Sequence, residues 1–336
     1  MLLAITGDSH FAPLAHLHCD EHAVPAHVSL GGALQGDFFP GKPRTGCRAS
    51  DCHLISIESH AIPSRQREST MKIYKYWTTE KQMILIDGVE QQITCYGGSN
   101  SSIADAQLKA KEKAEKIKRK IKGEKHLFDE YESEIREEIL EIIDDHAAIT
   151  RNRYGAQVLN TEKLLILDID KPRSTFTDIF RKKDAAQDKL KIFDMVRKLA
   201  FTSKYQDYGF RIYETYQGAR VIVLGKDFDP RDRETSKMMN EFNCDGLYMT
   251  LCHKQNCFRA RLTPKPYRMK MRRYKVQYPR EEVDAALRQW LADYERESRN
   301  FSVCKFIEQA GARHSLNNVV QLHDEITGTN FRQPLA

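Results

Sequence analysis

No apolar run in the 336-residue sequence comes near the roughly 20 residues that a membrane-spanning helix needs, and no basic N-terminal segment leads into a sustained apolar stretch. The expectation is a cytoplasmic protein with no membrane role. Paired C-x-x-C spacing is also missing: the eight cysteines, at 19, 47, 52, 95, 244, 252, 257 and 304, are too sparse for a disulfide scaffold. They read as reduced thiols. Cys252, His253 and Cys257 resemble half of a zinc site, but no second half follows at a workable spacing. The net charge of +6 is mild for this length and excludes little. Local charge says more. From Cys252 to Lys275 there is no acidic residue, against nine lysines or arginines at 254, 259, 261, 265, 268, 270, 272, 273 and 275.

Residues 1–70 have neither a helical nor a strand period, and they hold seven of the twelve histidines. His16, His18, Cys19 and His22 cluster there without a framework that would fix a tetrahedral site. The expectation is an irregular extension, with the functional protein beginning at Met71. Residues 71–148 read as a small sheet with two helices. Strand-like runs precede and follow Asp87-Gly88, a hairpin turn signal. A strongly basic helix is expected from Ile103 to Lys122 and an acidic one from about Asp129 to Asp144, whose charges complement each other.

The centre of residues 149–275 is Leu164-Leu165-Ile166-Leu167-Asp168-Ile169-Asp170-Lys171-Pro172. Four large aliphatics in a row suit a strand buried on both faces, and the proline ends it. Alternation then puts Asp168 and Asp170 on one face at the strand's end. Two carboxylates that close repel unless a cation stands between them, so an oxygen-preferring divalent cation, Mg²⁺ or Mn²⁺, is the expected cofactor, the alternative being two solvated turn residues after a core strand.

A helix from Asp184 to Phe201, with Leu190, Phe193, Met195, Val196 and Leu199 at helical spacing, follows the aspartates. Then come strands at Phe210 to Thr215 and Ala219 to Leu224, a helix near Asp232 to Phe242 and a strand near Cys257 to Leu262. This order, βαββαβ, predicts an α+β protein with a ferredoxin-like, or RRM-like, core: a four-stranded antiparallel sheet with both helices on one face and the first strand central. The open face is where binding and chemistry are expected. Phe258, Tyr267 and Tyr274 interleave with the basic segment as stacking surfaces, and Pro264 and Pro266 fix the direction of Lys265. Arg259, Arg261, Lys265 and Arg268 are the candidate phosphate-binding residues.

Residues 276–336 should add C-terminal helices. One spans Glu281 to Glu297 with a Val283, Leu287, Trp290, Leu291 and Tyr294 stripe, and a short helical piece covers Val303 to Ala310. In the tail that follows, His323 and Asp324 are adjacent, and adjacent side chains are not expected to face one another.

Asp168-Ile169-Asp170 on a buried strand, then a helix, then Tyr213-Glu214-Thr215-Tyr216-Gln217-Gly218 in a hairpin together resemble the first motifs of the archaeo-eukaryotic primase superfamily. Thr150 to Ala156, Asp168 to Pro172 and Phe258 to Pro266 also resemble segments of a group of bacterial proteins. The primase resemblance implies a metal-dependent nucleotidyltransferase acting on nucleotide or nucleic-acid phosphates, with Asp168 and Asp170 as catalytic metal ligands and a third acid beside them. Asp229 and Asp245 are both candidates for that acid, Asp245 being favoured because it precedes the last strand. Arg220 stands where the superfamily's phosphate-contacting histidine is expected, and an arginine can hold a phosphate bidentately. The alternative is a non-catalytic nucleic-acid-binding protein on the same fold.

Overall fold

The longest two strands, β1 (Tyr76–Ile86) and β2 (Val89–Ser99), pair antiparallel through a turn in which Gly88 has a positive φ of 81°. The hairpin expected from Asp87-Gly88 is there, although its strands are continuous and longer than the separate runs suggested. Helix α1 (Ile103–Ile121) packs on it through Ala106, Ala110 and Ala114, one small residue per turn. The approach is close enough that a Cβ on Gly97 would lie 2.0 Å from the Ala106 carbonyl oxygen. A computed structural model describes residues 71–86, 88–121, 134–170, 185–280, 282–330 and 332–336. All of these belong to one compact unit, and the extension and histidine cluster expected in residues 1–70 lie outside the described residues.

The expected acidic helix is corrected where it is described. Residues Glu138–Asp144 form strand β3, paired with β4 (Ala147–Arg151). Ala147 to Thr150 are all buried, so β4 needs a partner on both edges, and that demand outweighs the helical spacing of its neighbour. Two register shifts let β3 follow the pairing. The sheet continues with β5 (Gln157–Thr161) and ends in β9 (Phe258–Arg261), in the order β3-β4-β5-β9. A domain boundary at 148/149 therefore falls inside β4.

The second sheet holds β6 (Ile166–Asp170), β7 (Gly209–Thr215), β8 (Gly218–Leu224) and β10 (Cys304–Gly311), in the order β10-β7-β8-β6, all antiparallel. Helix α2 (Ala185–Ala200) lies against it through Ile192, Phe193, Val196 and Ala200, while Leu190, expected in the stripe, is 56% exposed. Helices α3 (Arg233–Glu241) and α4 (Gly246–Gln255) follow β8, α5 (Ala285–Ser298) precedes β10, and α6 (Asn318–Thr327) follows it.

The α+β class holds, with two corrections to the expected core. Its last strand, β9, leaves for the other sheet, and residues 304–311, expected to be helical, take the fourth place as β10 beside β7. As a result β6 is an edge strand and not a central one. Its outward carbonyls are nonetheless paired: Ile166 O accepts from the Tyr248 hydroxyl (2.9 Å), and Asp168 O accepts from the Asp245 amide (2.9 Å) and the Cys244 thiol (3.3 Å). A single apolar cluster includes Leu165 to Leu167 of the D-x-D strand with Ile149, Leu159 and Phe258 of the other sheet, so the two sheets share one core.

Candidate functional site

Asp168 and Asp170 leave β6 on one face, opposite Arg220 and Gly218 of β8. Asp168 is half-buried and Asp170 exposed. Desolvation first, then the charges of Asp168 and Asp245, hold the Asp170 carboxyl above its ordinary range, against the opposing pull of Lys265 and Arg268. Those five side chains therefore feel one another. Gly218 lets the hairpin come this close, since a Cβ there would lie 2.0 Å from the Ile169 carbonyl oxygen.

Asp245 is the expected acid that reaches this neighbourhood. It is also the N-cap of α4, its Oδ1 accepting from the Tyr248 amide at 2.8 Å. Asp229, the other candidate, accepts from the Arg231 amide (2.8 Å) in the turn before α3. Among the described residues no three His, Cys, Asp or Glu side chains are arranged to hold a metal ion. Cys252, one of the half-site residues, is buried, and desolvation pushes its thiol up to about 12, so it is a neutral core thiol.

The candidate arginines divide into two kinds. Arg259 is bound within the protein: its Nε donates to Asn160 Oδ1 (2.8 Å) and its Nη2 to Glu137 Oε2 (2.6 Å). That pairing withdraws it from the phosphate-binding set. Arg220, 5% exposed, donates from Nη1 to the Arg261 carbonyl and to His323 Nε2, both at 3.0 Å. Arg261 is the contrary case. Its Nε is buried and has no hydrogen-bond partner among the described residues, and burial together with the charges of Arg268 and Arg220 pushes the guanidinium down to about 10, with Asp168 opposing.

The segment after β9 is held in a fixed path. Lys265 is extended, Pro266–Met269 forms one 3₁₀ turn, and the Tyr294 hydroxyl of α5 donates to the Pro264 carbonyl at 2.6 Å. Trp290 of the same helix donates to the Arg272 carbonyl at 3.0 Å. The apolar stripe of α5 thus fixes the basic segment. Of the expected stacking residues only Tyr267 is well exposed. Phe258 is fully buried in the shared core, and Tyr274 lies against Trp290 with ring centroids 5.6 Å apart. Arg151 and Arg153 are held elsewhere, Arg151 bonding the Gly155 carbonyl and Arg153 the Tyr154 hydroxyl.

Sequence reasoning set His323 and Asp324 aside, and the structure corrects that: both belong to a closed network under the site. Because Arg220 can only donate, His323 Nε2 must accept, so Nδ1 carries the proton and donates to Asp324 Oδ1 at 3.0 Å. Asp324 also accepts from the Tyr213 hydroxyl (2.6 Å) and from Arg211. His323 is 0% exposed, and burial, with help from Arg220 and against the Asp324 bond, pushes it down to about 4. It is a neutral structural bridge that fixes Arg220. The signal available in sequence was indirect: Tyr213 and Arg211 alternate with core residues on a buried strand and so required polar partners.

Compared with protein-family models, with curated proteins and with solved structures, the chain matches none.

Proposed function

We propose that the face bounded by Asp168, Asp170 and Arg261 binds the phosphates of a nucleotide or nucleic acid, as part of a metal-dependent nucleotidyltransferase of primase-polymerase type. The observation that carries this reading is Arg261: a buried guanidinium Nε without a partner, crowded by Arg220 and Arg268 and facing Asp168. Asp168 offsets that crowding only in part, so a further anion would complete the site, and a phosphate is the anion whose oxygens match guanidinium geometry.

The chemistry of the acids fits a hard cation. Asp168 and Asp170 offer oxygen donors only, and Mg²⁺ or Mn²⁺ is commonly held by one or two carboxylates, with waters and substrate phosphates completing the shell. Such a site needs no third protein ligand, which agrees with the capping duty of Asp245. A metal bound there supplies charge neutralisation at the transferring phosphate and activation of an attacking hydroxyl. The chain's own residues do the rest: Arg261, Arg268 and Lys265 orient the phosphates, and the Arg220–His323–Asp324 network keeps the floor rigid.

A second reading, a non-catalytic nucleic-acid-binding protein on the same scaffold, is supported by the acid-free basic segment from Cys252 to Lys275, which can meet phosphates without a metal. The two readings differ in what the aspartates do. Mn²⁺ titration and template-dependent nucleotide incorporation should both be lost in Asp168→Asn and Asp170→Asn, while affinity for single-stranded DNA survives. If neither variant changes Mn²⁺ affinity, the enzymatic reading is wrong. If DNA affinity does not fall steeply with salt, both readings are wrong.

A further inference from the structure

The β7–β8 hairpin tip and the basic segment meet beside the aspartates, and the two tyrosine rings there have no part in the phosphate site. Tyr216 and Tyr267 are each 48% exposed. The guanidinium carbon of Arg268 lies 4.4 Å from the Tyr216 ring centroid and 5.9 Å from that of Tyr267, and its Nη2 donates to Gln217 Oε1 at 3.2 Å. Arg273 stands 5.2 Å from the Tyr267 centroid, and the Lys265 amine 5.9 Å. One arginine therefore ties two half-exposed aromatic rings together, and further cations follow on the side of Tyr267. Lys270, Arg272 and Arg273 are exposed and continue the basic, acid-free stretch beyond the site.

We infer that Tyr216 and Tyr267 are stacking platforms for two unpaired bases of a single-stranded nucleic acid, with Arg268 and Arg273 facing the phosphates between and beyond them. Three considerations carry this. Both tyrosines are half-exposed and share Arg268, so two amphipathic rings with accessible surface stand side by side next to the charged site. Cations against the ring faces set the rings' orientation, and alternating rings and positive charges are what a strand of stacked bases and phosphates requires. A mononucleotide would occupy one ring, whereas the track has two rings and continues with basic side chains. The inference extends the phosphate reading proposed above, naming the polymer and the part of it that is recognised.

The test uses four probes on the full chain: a fluorescent oligothymidylate of about 12 nucleotides, an abasic strand of the same length, a duplex, and thymidine triphosphate. Wild type should bind the oligothymidylate about tenfold or more tighter than the abasic strand. Tyr216→Ala and Tyr267→Ala should each remove most of that difference without changing abasic affinity, while Tyr216→Phe and Tyr267→Phe should keep it. Half-exposed rings can be truncated without loss of fold, and thermal unfolding checks this.

Equal affinity for the thymidylate and abasic strands, or for strand and duplex, overturns the stacking proposal while leaving phosphate binding intact. Thymidine triphosphate binding as tightly as the strand also overturns it, in favour of a mononucleotide. Conversely, thymidylate binding that depends on the tyrosines, with no abasic binding and no effect of Arg261→Met, supports stacking and removes the phosphate reading.

Discussion

Arg259 and Arg261 are two residues apart on one strand and share a face of it, yet one is a structural element and the other is not. Arg259 meets Glu137 and Asn160, and its charge is held by a partner. Arg261 meets Arg220 and Arg268, and its Nε is left without one. A guanidinium whose acid the fold supplies, as it supplies Glu137 for Arg259, is a structural element, whereas the cations around Arg261 outweigh Asp168 and leave room for a further anion. Counting basic residues along the sequence could not separate the two.

The strongest test exchanges both. Arg259→Met leaves the half-buried Glu137 carboxylate with the Thr150 hydroxyl and without its cation, and should cost about 3 kcal/mol in urea unfolding. Arg261→Met removes a cation from among cations and should leave the urea midpoint unchanged or raised, while weakening tripolyphosphate binding about tenfold or more. Equal destabilisation by both substitutions would break the comparison.

The next largest effect concerns Arg220, which owes its fixed position to His323. The unfolded chain's histidine titrates near 6.5 and the folded one near 4, so between those values the unfolded state takes up a proton that the folded state refuses. Stability is fully present above pH 6.5 and falls on acidification through that window, by about 3 kcal/mol for the full shift. Asp324, held below its ordinary range by His323, Tyr213 and Arg211 although burial opposes them, extends the loss to lower pH. Urea midpoints from pH 7 to pH 4 measure this, and His323→Gln should flatten the slope. A slope unchanged in that variant would assign the acid sensitivity to other groups.

Gly218→Ala asks whether the unpartnered arginine depends on the close approach of β8 to β6. The added Cβ collides with the Ile169 carbonyl, for a cost of about 1–3 kcal/mol, and under the proposed function it should also weaken Mn²⁺ binding at Asp170. Mn²⁺ affinity and thermal midpoint report the two effects separately. The smallest change expected is in Asp170→Asn. Because the folded carboxyl is raised, the ionised form is the strained one, and the variant should be slightly more stable than wild type at pH 7 but not at pH 3. Added Mn²⁺ should raise the midpoint of wild type only. A variant less stable at pH 7 would mean that the carboxylate is held by something other than repulsion.

Local rules carried a good part of the fold. Alternation placed Asp168 and Asp170 on one face, Asp87-Gly88 marked the first hairpin, and Tyr216-Gln217-Gly218 marked the hairpin beside the aspartates. These depend on neighbours a few residues away, where steric and turn preferences decide. Residues 138–144 and 304–311 were misjudged for the opposite reason. Each has a pattern compatible with a helix, and each became a strand because a buried neighbour, β4 or β7, had backbone groups to pair.

The parts of the candidate site are legible along the chain: two carboxylates on one strand face, a glycine-led hairpin across from them, and a basic segment free of acids. Which of those charges are satisfied is settled by the fold. Glu137 lies 122 residues from Arg259, and His323 lies 103 from Arg220. Whether an arginine meets an acid or another arginine depends on contacts at that separation, and no local pattern encodes them. That is why Arg259 and Arg261 look alike in the chain and differ in the fold.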